Sequence, residues 1–483
     1  MPNLDKYKPS MHFSPAFGWI NDPNGLVYSN GSWHLFYQFH PMNTVWGPMH
    51  WGHAVSTDLV NWNHYPIAIA PDKLGHMFSG SAIVDKSNAS GLFQQESEAN
   101  LIAYYTASMP RHDICPEDLQ TQCLAYSQDG GFTWSKYENN PILPNPDLLC
   151  YRDPKVIWVE DTKHWVMVLT HGQSVGIYKS HNLIDWEYCS EFGENEGYHS
   201  QGPWECPDLF PLTSESGVTK WVMVVGIGPH DTDGDYGQTP CTQYFVGDFD
   251  GEVFTNSNPS HGVTWLDNGC DYYATQSYFN APNGARVSLS WMSNWNYARN
   301  TETNNFRGIM TLPREFKLVE NTSGSYVVAQ RFFFNGTDHF TKPVNFSNFA
   351  HIETNSSVYA LRANLHCDLN ETVGLTLFGL DAAIFEFKRV ADGYEIRSIR
   401  HYYGDQEVMK KEFQHDFKVH HACCSEMITM ELIVDHGAVE LLLNDGKFSL
   451  TQLYFPQDPD GNISLVGNGW ENVVINNQMI SNK

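Results

Sequence analysis

Three short stretches carry carboxylates that could do chemistry: W-I-N-D-P-N-G at 19–25, R-D-P at 152–154 and W-E-C-P-D at 204–208. Each sets an acid (Asp22, Asp153 or Glu205) near a proline and just ahead of an apolar run. Alone, Asp-Pro-Asn-Gly is a turn: Pro presets φ, Gly supplies φ > 0 and Asx side chains cap the backbone. Repetition of the pattern argues for more. Bringing three carboxylates together is costly, because like charges raise one another's pKa values. Structure rarely calls for that, whereas catalysis often does.

A loose internal repeat could gather them. Apolar runs rich in Val, Ile, Tyr, Phe and Trp at 33–39, 101–107, 163–170, 220–227 and 287–292 start 68, 62, 57 and 67 residues apart. The first four are each followed by a strand that ends in a turn and an aromatic, at 53–62, 123–134, 175–186 and 243–254. Each of the five is preceded by a shorter strand, at 25–28, 80–85, 154–159, 208–212 and 273–279. No long amphipathic helix interrupts them. Three strands and a closing turn, five times over, predict a five-bladed β-propeller, with a large irregular β-sandwich as the alternative. The innermost strands of a propeller line its channel, so Asp22, Asp153 and Glu205 would meet at one mouth. Ser79 and Tyr272-Tyr273 hold the corresponding place in the second and fifth units.

After Arg314-Glu315 the five-fold spacing stops. Alternating strands at 358–365, 373–378, 383–388, 427–434, 439–443 and 464–466 predict a β-sandwich. The expected architecture is all-β: a five-bladed β-propeller catalytic domain, 1–333, then a C-terminal β-sandwich, 334–483, in a supporting role.

The bulk numbers exclude whole classes of partner. Apolar residues make up 41% of the 483, enough for a proper core, and only 17% are charged. With 55 acids against 28 bases the net charge is −27, which repels phosphate backbones and anionic lipid, so neither nucleic acid nor a membrane surface is an expected partner. No apolar stretch approaches the ~18–20 residues of a membrane span. Residues 1–6 carry no apolar core of a signal peptide, so the chain either stays inside the cell or is a processed form. Eight N-x-S/T sequons, at Asn30, Asn88, Asn321, Asn335, Asn345, Asn355, Asn370 and Asn462, favour an extracellular, glycosylated product over a cytoplasmic one. The ten cysteines include no C-x-x-C pair; Cys115 and Cys123 could form a disulfide, and buried free thiols are the default for most of the rest.

These motifs resemble glycoside hydrolase family 32, the invertases, levanases and inulinases. The likeness runs through W-I-N-D-P-N-G, W-G-P-M-H-W-G-H (46–53), F-S-G-S (78–81), R-D-P, W-E-C-P-D, D-Y-Y-A (271–274), W-M-S-N-W-N-Y (291–297) and L-P-R-E (312–315), in that order. It implies a propeller followed by a sandwich, in agreement with the repeat. It also implies a retaining exo-acting β-fructofuranosidase with Asp22 as nucleophile and Glu205 as acid/base, a pair that needs to lie only ~5–5.5 Å apart. Asp153, with Arg152 as its charge partner, would stabilise the transition state.

By the same resemblance Asn21, Asn24, Gln38, Ser79 and Arg152 would hydrogen-bond the sugar. Trp46, Phe78, Tyr273 and Trp295 would form apolar walls, and Cys206 would pack or tune. His34, His40, His50 and His53 look like a metal cluster, but the family uses no metal; no cofactor is expected. The implied partner is a small-molecule sugar: sucrose, a fructo-oligosaccharide or a fructan. Competing readings are a fructosyltransferase, an inverting arabinan-type glycosidase and an inactive sugar-binding relative. The intact N-D-P-N-G, R-D-P and W-E-C-P argue against the last two. Oligomeric state is left open.

Overall fold

The computed structural model describes residues 6–109, 118–228, 241–258, 262–321, 324–334, 349–379, 383–459 and 461–477. Cys115, Asn335 and Asn345 lie outside them. Five sheets form the blades of a propeller and two more form a sandwich. The innermost strands of the blades are Gly18–Ser29, His76–Val84, Tyr151–Val159, Trp204–Thr213 and Tyr273–Ser277. Each of these touches the next, and the fifth returns to the first. The strand Phe306–Arg307, from the long connection inside blade five, adds in parallel to Gly18-Trp19 of blade one. It covers the inner edge of blade one and ties blade five back to it.

Apolar side chains of neighbouring blades interdigitate in five buried clusters, one per blade junction. Phe36 and Trp51 of blade one meet Met77 and Leu101 of blade two, and Ile83 and Tyr104 meet Val156 and Met167. Val168 and Ile177 then meet Leu209 and Met223, and Phe210 and Val224 meet Phe316 and Leu318. Leu289 and Met310 close the circle on Ile20 and Leu35. The sandwich core lies between its two sheets, around Leu361, Phe385, Leu432 and Leu465.

Two expectations need correction. The carboxylate motifs do not precede the inner strands but lie within them, so the strands begin three to seven residues earlier than the apolar pattern indicates for the first four blades. Each blade also has a further strand: Trp62–Ile69, Ser135–Lys136, Glu187–Phe192 and Phe254–Asn256 in blades one to four. In blade five the outer pair is Arg314–Glu320 and Tyr326–Phe332.

Propeller and sandwich are joined by buried ions. Arg314 gives Nε to Glu440 Oε2 (2.8 Å) and Nη1 to Asp267 Oδ2 (3.0 Å). Arg400 gives Nη1 to Asp271 Oδ2 (2.6 Å) and Nη2 to Tyr297 Oη (2.9 Å). His12 bridges Asp435 (2.8 Å) and Glu440 (2.9 Å). Such ions are tolerated away from water only because every partner is present. The D-Y-Y-A, W-M-S-N-W-N-Y and L-P-R-E motifs supply Asp271, Tyr297 and Arg314 to this joint.

Candidate active site

One backbone device is repeated in every blade. In each inner strand a three-residue step faces a two-residue step of its neighbour: 20–23 against 37–39, 77–80 against 105–107, 152–155 against 168–170, 205–208 against 224–226 and 273–276 against 289–291. These are β-bulges, which re-aim side chains and free the extra residue from pairing. In blades three to five the first bulged residue is left-handed, at φ 65° for Asp153, 49° for Cys206 and 53° for Ala274. Pro154 and Pro207 take the second bulged position, where a missing N–H costs no ladder bond.

The bulges also correct the expected equivalence of the acids. Asp22 and Ser79 are second residues of their bulges, Asp153 is a first residue, and Glu205 flanks its bulge as Arg152 and Tyr273 flank theirs. The three acids therefore leave the ring at three different positions.

Asp22 is held by donors from three sides. Asn21 Nδ2 donates to its Oδ1 (3.0 Å), and Ser79 Oγ (2.6 Å) and Cys206 Sγ (3.5 Å) donate to its Oδ2. Trp19 Nε1 fixes Asn21 (2.8 Å). Burial raises the Asp22 pKa and the charge of Glu205 adds to this, while the donors pull it back. Asp153 receives the Cys206 N–H (2.9 Å) and has Cys206 Sγ 3.6 Å away, so one sulfur stands between two carboxylates. Burial, with the charges of Glu205 and Asp22 added, pushes Asp153 up to about 7, against the pull of Arg152.

Arg152 directs both Nη2 (2.6 Å) and Nε (3.2 Å) to Glu205 Oε1, and Tyr273 Oη donates a short hydrogen bond to Oε2. The nearest Asp153 oxygen is 3.9 Å from Arg152. The closer charge partner of Arg152 is thus Glu205, not Asp153, because the two residues flank neighbouring bulges.

A cavity of about 870 Å³ opens over these groups and is lined by Asn21, Asp22, Gln38, Trp46, Phe78, Ser79, Arg152, Asp153, Glu205 and Trp295. Trp46 and Phe78 meet edge to face (5.9 Å), and Trp295 stacks on Trp19 (6.0 Å). Asn24 and Tyr273 do not line the cavity. Asn24 sits behind Gln38 and accepts its Nε2 (2.7 Å); Tyr273 packs among Trp19, Cys206 and Trp291 and reaches the site only through its hydroxyl.

The four histidines divide: His34 and His53 stack and share a hydrogen bond (3.1 Å), while His40 and His50 bond the carbonyls of Val45 and Pro48. Sequence reasoning missed Gln120, whose Oε1 faces Arg152 Nη1 (3.4 Å), and the sandwich residues at the cavity rim. Neither lies in a motif.

A ring of five bulged strands brings three carboxylates and an arginine to one cavity, a set of groups able to transfer protons and to hold a polar substrate. The glycosyl hydrolases family 32 N-terminal domain profile matches residues 12–330, and the family 32 C-terminal profile matches 339–480. The chain belongs to glycosyl hydrolases family 32, and is a glycoside hydrolase. It is 40% identical to a levanase of Bacillus subtilis, over 95% of this chain and 68% of the relative. It is 34% identical to an extracellular exo-inulinase of Aspergillus niger, over 97% and 93%. Among solved structures, the exo-inulinase of Aspergillus awamori superposes with a TM-score of 0.85 at 31% identity, over 98% of both chains.

Proposed function

We propose that the protein is a retaining, exo-acting β-fructofuranosidase that removes terminal β-D-fructofuranosyl residues from sucrose and from fructans. The observation that carries this reading is the convergence of two supported carboxylates on one cavity: Asp22, held by Asn21, Ser79 and Cys206, and Glu205, held by Arg152 and Tyr273. Relatives named levanase and exo-inulinase support the choice of fructoside.

In this reading Asp22 attacks the anomeric carbon as Glu205 passes its proton to the leaving oxygen, giving a fructosyl ester and a free alcohol. Water then attacks that same anomeric carbon. Glu205 takes the water's proton back, and Asp22 leaves as a carboxylate. Asp153 and Arg152 hold the sugar hydroxyls, and Asp153 stabilises the oxocarbenium-like transition state. Asn21, Gln38 and Ser79 complete the polar floor, with Trp46, Phe78 and Trp295 as walls. Residues 1–333 are the catalytic unit and 334–483 its partner. The sequons and the extracellular relatives support a secreted, glycosylated protein.

The test pairs two measurements. Initial release of fructose and glucose is followed from sucrose, levan and inulin, with Glu205→Ala as control. The Asp22 peptide of Glu205→Ala is then weighed after exposure to a fructoside with an activated leaving group. Added fructosyl mass on that peptide supports the covalent route. Release without any such adduct, and with inverted product, overturns it.

A further inference from the structure

A β-bulge takes backbone groups out of the ladder, and buried ones need a partner from elsewhere. In this propeller a neighbouring blade supplies it. Trp51 Nε1 of blade one donates to the Phe78 carbonyl in the bulge of blade two (2.9 Å). Ser81 Oγ of blade two donates to the Pro154 carbonyl of blade three (2.9 Å). Gln276 Nε2 of blade five donates to the carbonyls of Cys206 (3.0 Å) and Pro207 (3.2 Å) in blade four.

The most complete of these supports lies behind Asp153. Thr106 and Gln122 of blade two stand opposite each other on adjacent strands, and both are fully buried. The Asp153 N–H donates to Thr106 Oγ1 (3.0 Å), the Thr106 hydroxyl to Gln122 Oε1 (2.7 Å), and Gln122 Nε2 to the Tyr151 carbonyl (2.8 Å). The three bonds run in one direction and close a ring on the backbone of Tyr151-Arg152-Asp153. A hydroxyl has one proton, and Gln122 takes it, so Thr106 meets Asp153 as an acceptor.

The ring matters because Asp153 is held left-handed at φ 65°, a conformation that persists only where its surroundings impose it. Without an acceptor for its N–H, the Asp153 peptide gains by turning elsewhere. Its carboxylate would then leave the Cys206 N–H, now 2.9 Å away. Neither Thr106 nor Gln122 is among the residues lining the cavity, so each can act only through what it holds.

We propose that Thr106 and Gln122 are positioning residues for the reaction, holding the Asp153 peptide in its left-handed pose so that its carboxylate meets the transition state in place. The inference rests on the fructosidase reading above, in which Asp153 stabilises that state.

The test is steady-state kinetics on sucrose for Thr106→Val, Thr106→Ser and Gln122→Met, with melting curves to show that each folds. Valine keeps the volume and the β-branch but cannot accept a hydrogen bond. Thr106→Val is expected to lower kcat by about tenfold or more while KM stays within about twofold, the mark of support felt in the transition state. Gln122→Met opens the same ring and should follow it. Thr106→Ser keeps the hydroxyl and should hold kcat within about threefold of the wild type. In an Asp153→Ala background, Thr106→Val should lower kcat by no more than about twofold, because the group it positions is already gone.

Unchanged kcat in both Thr106→Val and Gln122→Met overturns the positioning role, whatever happens to their melting temperatures. So does a Thr106→Ser as slow as Thr106→Val, since the methyl and not the hydroxyl would then be at work. A further loss of about tenfold in the Asp153→Ala background also overturns it, because Thr106 would then act through another group. A wild type that releases no fructose overturns the fructosidase reading and takes this inference with it. A Thr106→Val that matches an active wild type overturns the inference alone.

Discussion

Arg152 commits two nitrogens to a single oxygen of Glu205, Nη2 at 2.6 Å and Nε at 3.2 Å. A guanidinium can do this while its third nitrogen faces Gln120; the ammonium of a lysine cannot. Arg152 is also the cation that holds the Asp153 pKa down.

Replacing Arg152 with Ala or Lys is therefore expected to do two things. It should lower kcat/KM on sucrose by ~10²-fold, the scale of losing one preorganised site donor. In the Ala variant it should also move the acidic limb of the pH profile to higher pH. The sign follows from Asp153, already pushed up to about 7, which loses the charge that favours its ion and so ionises later. A pH profile of kcat/KM for the variants, with melting curves to show that they fold, checks both.

A second pH effect comes from the donors on Asp22. In the proposed mechanism Asp22 must be ionised, and the Ser79 hydroxyl at 2.6 Å and the Cys206 thiol both favour that form. Ser79→Ala removes a hydrogen bond to a charged group, worth ~1.5 kcal/mol, so the acidic limb should climb by about one pH unit. Cys206→Ala should move it less and in the same direction, because a thiol is a weak donor. Cys206→Ser, which keeps a donor, should restore it. If neither Ser79→Ala nor Cys206→Ala shifts the limb, Asp22 is not the group that sets it.

Those donors illustrate what could be read from sequence and what could not. The propeller was legible because Val-, Ile- and aromatic-rich runs recur at similar intervals, and the identities of Asp22, Asp153 and Glu205 were legible from their motifs. The strand limits were not: a bulge lets Pro23, Pro154 and Pro207 stand inside a strand, so a pattern that reads as a turn is paired on both sides. Outer strands such as Ser135–Lys136 are too short to show any alternation. The pairing of Arg152 with Glu205 depends on which side of a bulge each stands, a register that residue types do not encode. The rim residues Glu407 and Lys411 reach the cavity through the packing of Met409 and Phe413, a tertiary effect with no local signal.

The joint between propeller and sandwich should give stability its own pH dependence. His12, buried between Asp435 and Glu440, is raised from its ordinary value to about 9, its carboxylate partners overcoming burial. Its contribution is complete below pH ~6.5 and is lost as pH rises through about 9, amounting to roughly 3 kcal/mol. Asp435, held far below the usual carboxylate range by His12, His436 and backbone N–H groups, contributes in the opposite sense. Its share is present above pH ~4 and lost on acidification. Urea unfolding of the wild type minus that of His12→Gln, measured from pH 4 to 10, should be flat to about 6.5 and then fall. A difference that stays level through pH 9 would mean that His12 carries no charge in the fold.

Beneath the site, Lys155 of blade three ties blades four and five to its own. Its Nζ donates to Asp208 Oδ2 of blade four (3.2 Å) and to the Ser277 carbonyl of blade five (2.6 Å). Asp208 Oδ2 also receives the Ser277 N–H at 2.6 Å. Both charged side chains are nearly inaccessible, at 5% and 1%. Burial lowers the Lys155 pKa, so the ammonium depends on Asp208 to stay charged. Lys155→Met keeps the volume but strands a buried carboxylate, and should cost about 3–5 kcal/mol in urea unfolding. Removing both charges in Lys155→Met/Asp208→Leu should recover part of that loss, because the carboxylate is no longer stranded, although Arg286 loses the counter-charge that Asp208 gives it. Since this strut spans the bulges that carry Asp153 and Glu205, the single variant should lose activity as well as stability. If it unfolds like the wild type, the three inner strands are held by their apolar junctions and the ion pair is dispensable.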